Sequence, residues 1–225
     1  MSLFVLGGTG LVGSEFLSKA LECSSTKKVF ALLRRDPEIE NDKLVKIISK
    51  ETDQWGEVIK STDIAENSTF FSAFGTTRKA AGSAENFVKI DHDINYEAFK
   101  AAKESGKFDT AIIVSSMGAD KDSRFLYMKT KGQLDQDIID LKFKKTIILR
   151  PGILLGERKV SKGLNNTLAE YVGRWTRGTF IGNAIGHPIY AEEVAKCALK
   201  LALEPANEEG EVRILQSAEI IKLAN

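Results

Sequence analysis

Residues Ser2–Phe16 read SLFVLGGTGLVGSEF: an apolar, strand-like run enters a glycine turn, and a helical stripe begins at once. The stripe consists of Leu11, Val12, Phe16, Leu17, Ala20 and Leu21, spaced for one face of a helix. Gly7, Gly10 and Gly13 lie three apart between the two elements. Glycine suits a tight turn, a close approach of backbone to a pyrophosphate, and packing of the helix on the strand. The helix N-terminus then offers N–H groups and a positive dipole to phosphates. Glycines alone are a weak signal, but between a strand and a helix they form the dinucleotide fingerprint. Gly7, Thr9, Gly10, Leu11, Val12 and Gly13 are the candidate cofactor-binding residues of this turn. No Lys-Ser or Lys-Thr pair follows the glycines, so nothing is placed to reach a terminal phosphate or its magnesium, which disfavours ATP.

Working outward, short apolar runs recur at Ser2–Leu6, Lys28–Leu33, Leu44–Ile48, Thr69–Phe74, Thr110–Val114, Thr146–Leu149 and Val212–Leu215. Helical patterns fill most of the gaps, among them Phe87–Lys103 and Phe125–Leu141. Strands alternating with amphipathic helices predict an α/β fold: a doubly wound parallel sheet with right-handed crossovers and helices on both faces. Ligands of such sheets bind beyond the carboxyl ends of the strands. At 225 residues the chain suits one domain, residues 1–225, with a 43% hydrophobic content that fits a buried core. Only 156–190 departs from the rhythm; it reads as an irregular substrate-side insertion within that domain.

The 32 basic and 31 acidic residues leave a formal net charge of +1, so no overall field draws the chain to nucleic acid. Cys23 and Cys197 lack metal spacing and disulfide density, which fits a reducing compartment. No apolar run reaches the roughly 18 to 20 residues that span a bilayer. Strand-like sequence from Ser2 leaves no room for a targeting peptide, so a cytosol-facing location is expected.

The second strand ends in ALLRRD. An NAD site usually carries a carboxylate at this tip; here Leu33 is followed by Arg34 and Arg35, suited to forked hydrogen bonds with a 2′-phosphate. NADP is therefore expected over NAD, with Asp36 placed to neutralise part of the pair. Further on, DSRFLYMKTKGQLDQDIIDL sets Tyr127 and Lys131 four apart on one helix face, where phenol and ammonium can converge on one ligand. The fifth strand ends in IIVSSMGAD, which puts Ser116, and behind it Ser115, over the same crevice eleven residues before the tyrosine.

The glycine turn, Ser116 and the Tyr127/Lys131 pair together resemble the short-chain dehydrogenase/reductase superfamily. The longer stretches GTTRKAAGS, VSSMGADKDSRFLYMKTKG and LRPGILLGER look like its atypical branch, which holds the fungal "found in mitochondrial proteome" proteins and the metazoan Tat-interacting proteins; the fungal group is the nearer match. The resemblance implies a Rossmann fold and a catalytic set of Ser116, Tyr127 and Lys131. Tyr127 would be the general acid toward a carbonyl oxygen. A free phenol, with a pKa of about 10, is a weak base at neutral pH unless a cation stabilises its anion, and Lys131 would supply that cation. The lysine would also bond the nicotinamide ribose, so Tyr127 and Lys131 join the cofactor-binding set. Ser116 would polarise the substrate carbonyl, with Ser115 ranked second. Gly75 and Thr76 would border the pyrophosphate and adenosine ribose. Pro151 and Gly152, after Arg150, would lie near the nicotinamide amide.

The sequence departs from that pattern in two places. The asparagine that supports the lysine in many relatives has no clear counterpart, with Asp91 or Asn95 near its place; Glu51 stands where an adenine-side aspartate is expected. His92 and His187, the only histidines, lack the spacing and carboxylate partners of a zinc site or a Ser-His-Asp triad, so no metal is expected. The leading expectation is an NADPH-dependent reductase of a small carbonyl compound. The alternative is an NADPH-binding regulatory or scaffold protein with little turnover, since a fold can keep its cofactor and lose its chemistry. Between Arg158 and Phe180, five basic residues face the single Glu170, a local net of +4 interleaved with Tyr171, Trp175 and Phe180. That stretch is the expected peripheral contact with an anionic membrane surface, by resemblance the mitochondrial outer membrane.

Overall fold

A computed structural model describes residues 1–156, 187–206 and 210–225. Seven strands form one parallel sheet: β1 (Ser2–Leu6), β2 (Lys28–Leu33), β3 (Leu44–Ile48), β4 (Ser68–Ser72), β5 (Phe108–Val114), β6 (Lys145–Arg150) and, last in the chain, β9 (Glu211–Gln216). Their spatial order is β3-β2-β1-β4-β5-β6-β9, so the winding reverses direction between β1 and β4. Crevices at such reversals are where doubly wound sheets bind their ligands. β7 (Leu154–Leu155) and β8 (Ile189–Tyr190) make a separate parallel pair, so the end of the 156–190 stretch joins the ordered fold. Residues 157–186, which hold the basic and aromatic segment, lie outside the described residues.

The helices are α1 (Leu11–Glu22), α2 (Trp55–Ser61), α3 (Arg78–Ala81), α4 (Ala84–Val88), α5 (Ile94–Glu104), α6 (Leu126–Asp140), α7 (Ala191–Leu203) and α8 (Ser217–Ala224). Strands buried on both faces must be apolar at successive positions, and β1 shows why. Leu3 and Val5 pack with Phe16, Leu17, Val194 and Ala198 on the α1/α7/α8 side. Phe4 and Leu6 pack with Trp55, Phe99 and Leu134 on the α2/α5/α6 side. Aromatic stacking reinforces both layers, with Phe16 and Phe71 ring centroids 3.8 Å apart and Phe4 and Phe70 5.4 Å apart.

The Phe87–Lys103 pattern is not one regular helix. A π-helical turn, Lys89–Asp93, separates α4 from α5. Such turns insert a residue into the helical ladder and often occur at functional sites. This one buries Asp91 completely.

Candidate functional site

The glycine turn has the shape its sequence calls for. Gly7 has φ of +83°, and a Cβ there would lie 2.5 Å from the Phe74 amide nitrogen. A Cβ on Gly13 would run into the Gly7 carbonyl. The turn closes with the Gly10 N–H donating to the Gly7 carbonyl at 2.9 Å. Among the described residues no side chain caps α1, and no acidic residue occupies its first turn. The first N–H groups of the helix are thus left to an anion, the arrangement that a dinucleotide pyrophosphate requires. This cradle fits the expected cofactor.

At the tip of β2, the Arg34 guanidinium lies 5.4 Å from the centroid of the Phe74 ring. Both Arg34 and Arg35 are exposed, and no ion pair to either is found among the described residues. The expectation that Asp36 neutralises them is corrected. Its carboxylate accepts from the Glu38 N–H at 2.8 Å and from Lys46 at 3.0 Å. Those two contacts hold its pKa below the ordinary value, the Glu38 amide contributing most.

Helix α6 carries the centre of the site. Its buried face runs through Lys131, Leu134, Asp135 and Ile138, and Tyr127 extends that stripe one turn toward the helix N-terminus. Tyr127 is 39% exposed and stacks on Phe87 with centroids 5.6 Å apart. Lys131 is buried, its Nζ 2.7 Å from Asp91 Oδ1. The other Asp91 oxygen accepts from the Thr76 N–H at 2.7 Å. Asp91, rather than Asn95, is therefore the residue at the lysine. Asn95 is spent on bracing β4: its Oδ1 accepts from Ser72, and its Nδ2 donates to the Phe74 and Ile90 carbonyls.

The two serines after β5 separate by exposure. Ser115 is 7% exposed and sits beside the buried Asp135 carboxylate without full hydrogen-bond geometry. Ser116 is half-buried, and among the described residues its hydroxyl donates only to the neighbouring Met117 carbonyl at 3.3 Å. Of the two, Ser116 is the more exposed. The loop that carries it rests on α6 because position 132 is glycine; a Cβ there would collide with the backbone of Asp120 and Lys121.

Asp135 is a site residue that sequence reasoning missed. It takes Nε and Nη2 of Arg150 at 2.9 Å each. Burial nevertheless pushes its pKa upward, against the pull of Ser115 and Arg150. Its spacing of four from Lys131 was the available signal. Around Pro151 the backbone groups are already engaged: the Pro151 carbonyl accepts from Met117 N–H, and Gly152 N–H donates to Ser217 at 2.7 Å. Glu51 is exposed at the edge of a short 3-10 turn.

His92 does have carboxylate partners, contrary to expectation. Its ring nitrogens lie 2.9 Å from Asp93 and 2.8 Å from Asp137. The pairing ties the π-turn to α6. Among the described residues no cluster of three or more His, Cys, Asp or Glu could hold a metal.

The HIM1 family model matches residues 36–177. "Protein FMP52, mitochondrial" of Candida albicans is 48% identical over 229 aligned residues, covering 100% of this chain and 99% of that protein. Among solved structures, a short chain dehydrogenase family protein from Francisella tularensis superposes with a TM-score of 0.68 at 12% identity, over 97% of this chain and 98% of that one. The Bordetella bronchiseptica enzyme WbmF, in complex with NAD+, gives 0.68 at 13% identity over 99% and 76%. At those identities the structures speak for the fold, a Rossmann-like doubly wound sheet. The end-to-end identity with the fungal protein and the family-model match decide the rest: the chain belongs to the HIM1 family and to the group of FMP52 proteins.

Proposed function

We propose that the chain is an NADPH-dependent oxidoreductase that reduces a small carbonyl compound. One observation carries this reading: Lys131 is buried and paired with the Asp91 carboxylate one helical turn after a half-exposed Tyr127, and the half-buried Ser116 follows the carboxyl end of β5. A lysine is costly to bury, and its head is usually left in water unless it is paired.

The Gly7–Gly13 turn and the amides that open α1 bind the pyrophosphate, and Arg34 and Arg35 bind the 2′-phosphate. Bound there, the dinucleotide supplies the hydride. Ser116 Oγ donates a hydrogen bond to the substrate carbonyl oxygen and orients it. Tyr127 gives that oxygen a proton. The Lys131 ammonium favours the phenolate that remains. Positioned general acids of this kind contribute roughly 10²- to 10⁴-fold.

Two measurements test the reading. Calorimetric titration with NADPH must show binding, and a panel of aldehydes and ketones must reveal NADPH oxidation that requires Ser116. Absence of dinucleotide binding would sink it.

For location, the relatives' name points to the mitochondrion. We assign the 158–180 segment, which lies outside the described residues, to a peripheral contact with an anionic membrane surface. Flotation with anionic liposomes tests this: salt should weaken binding, and Arg174→Glu with Arg177→Glu should abolish it.

A further inference from the structure

Asp91 is fully buried, yet each of its oxygens has a distinct duty. Oδ1 faces the Lys131 ammonium, and no hydrogen bond satisfies that oxygen otherwise. Oδ2 accepts the Thr76 N–H, in the segment that follows β4 at the sheet's reversal point. One carboxylate thus bridges the lysine on α6 to the backbone bordering the dinucleotide crevice. The π-turn makes this reach possible, and the His92–Asp137 contact fixes that turn on α6 only six residues beyond Lys131. Asn95 is excluded from the role because its hydrogen bonds go to Ser72 and to the Phe74 and Ile90 carbonyls, and none among the described residues goes to Lys131.

We propose that Asp91 is a positioning residue that couples dinucleotide binding to the placement of Lys131. The proposal rests on the dinucleotide reading of the site and adds its coupling element. When the segment at Thr76 closes on a ligand, it draws on the same carboxylate that orients the ammonium. The lysine is then set by cofactor binding. A carboxylate at this point also orients the ammonium by charge, where an amide would offer only a dipole.

A double-mutant cycle tests the coupling, using wild type, Asp91→Asn, Lys131→Met and the double variant, with NADPH and NADH as probes. Asp91→Asn should weaken both dinucleotides by roughly tenfold, leaving their ratio unchanged, and should add less than about twofold in the Lys131→Met background. Equal losses in both backgrounds would overturn the proposal, because a merely structural residue acts independently of the lysine. The same four proteins, denatured without ligand, give a second readout that does not depend on cofactor. Each single variant should unfold earlier than wild type, and the double variant should lose less than the sum of the singles. Additive losses there would also overturn it. The double variant carries no unpaired buried charge, so it stays available if Asp91→Asn alone folds poorly. Failure of wild type to bind either dinucleotide would instead refute the function proposed above and the coupling with it, and the ligand-free cycle would still decide whether Asp91 acts through Lys131.

Discussion

Lys131 Nζ and Asp91 Oδ1 lie 2.7 Å apart with 7% and 1% of their side chains exposed. Removing one member of such a pair leaves a charge stranded away from water, which costs about 3–5 kcal/mol. Lys131→Met should therefore lower the free energy of unfolding in urea by about 3 kcal/mol, although methionine fills nearly the same space. Wild-type stability in that variant would mean that water reaches the carboxylate.

The Arg34 guanidinium lies 5.4 Å from the Phe74 ring centroid, and Asp36 pairs with Lys46 instead; under the proposed NADPH reading Arg34 binds the 2′-phosphate. Arg34→Ala should weaken NADPH by roughly tenfold, the scale of a lost charge-assisted contact, and change NADH little. Calorimetry with both dinucleotides checks it. A parallel loss for the two would place the 2′-phosphate elsewhere.

Asp135 gives stability a pH signature with a definite sign. Its folded-state pKa is raised by burial, so the native protein keeps this proton above pH 3.8 while the unfolded chain releases it. Its contribution to stability is present below that value and lost as pH rises through the raised value. Asp135→Asn cannot titrate. The wild-type stability minus that of the variant should therefore fall with rising pH from about 4 upward and then level off. A difference that grows with pH would show the Arg150 attraction to be dominant.

Cys197 is buried in α7, and burial pushes its thiol pKa up to about 11, whereas Cys23 is half-buried at the end of α1. The thiolate is the reactive form. Native protein at pH 8 should release one equivalent with a disulfide reagent promptly, and two only in denaturant. Two prompt equivalents in native protein would show that α7 opens readily.

How far these features were legible in the sequence depends on how local their cause is. β1 and β2 follow directly from apolar runs, because a strand buried on both faces is apolar throughout, whereas β3 is a half-buried edge strand that keeps Lys46 among its apolar residues. Tyr127 and Lys131 were visible for a similar reason, four residues being about one turn of one helix. The lysine's partner was not, since choosing between Asp91 and Asn95 requires knowing that Lys89–Asp93 winds as a π-turn, which a 3.6-residue period cannot show. The β7–β8 pair was hidden because each strand is two residues long and its partner is far away in sequence. Asp135 was hidden by its helix: a carboxylate in a stripe usually marks the solvent side, and only the Arg150 contact from β6 explains it inside.

Tyr127 separates an enzyme from a binding protein. Its ring stacks on Phe87, and phenylalanine keeps that contact while removing the hydroxyl, so Tyr127→Phe should fold normally. The dinucleotide cradle, built on α1 and β2, is untouched by the change. NADPH at about 100 times its dissociation constant should stabilise wild type and variant alike by about 2.7 kcal/mol, read from ligand-dependent unfolding. Turnover should nevertheless fall by roughly a hundredfold or more, the scale of a lost general acid. Lys131→Met should behave differently, losing dinucleotide affinity along with turnover. If carbonyl reduction survives in Tyr127→Phe, the proton comes from another group and the assigned mechanism is wrong. If no carbonyl compound is reduced while NADPH alters a protein partner's binding equally in wild type and Tyr127→Phe, the hydroxyl is idle and the chain acts as a dinucleotide-controlled binding protein.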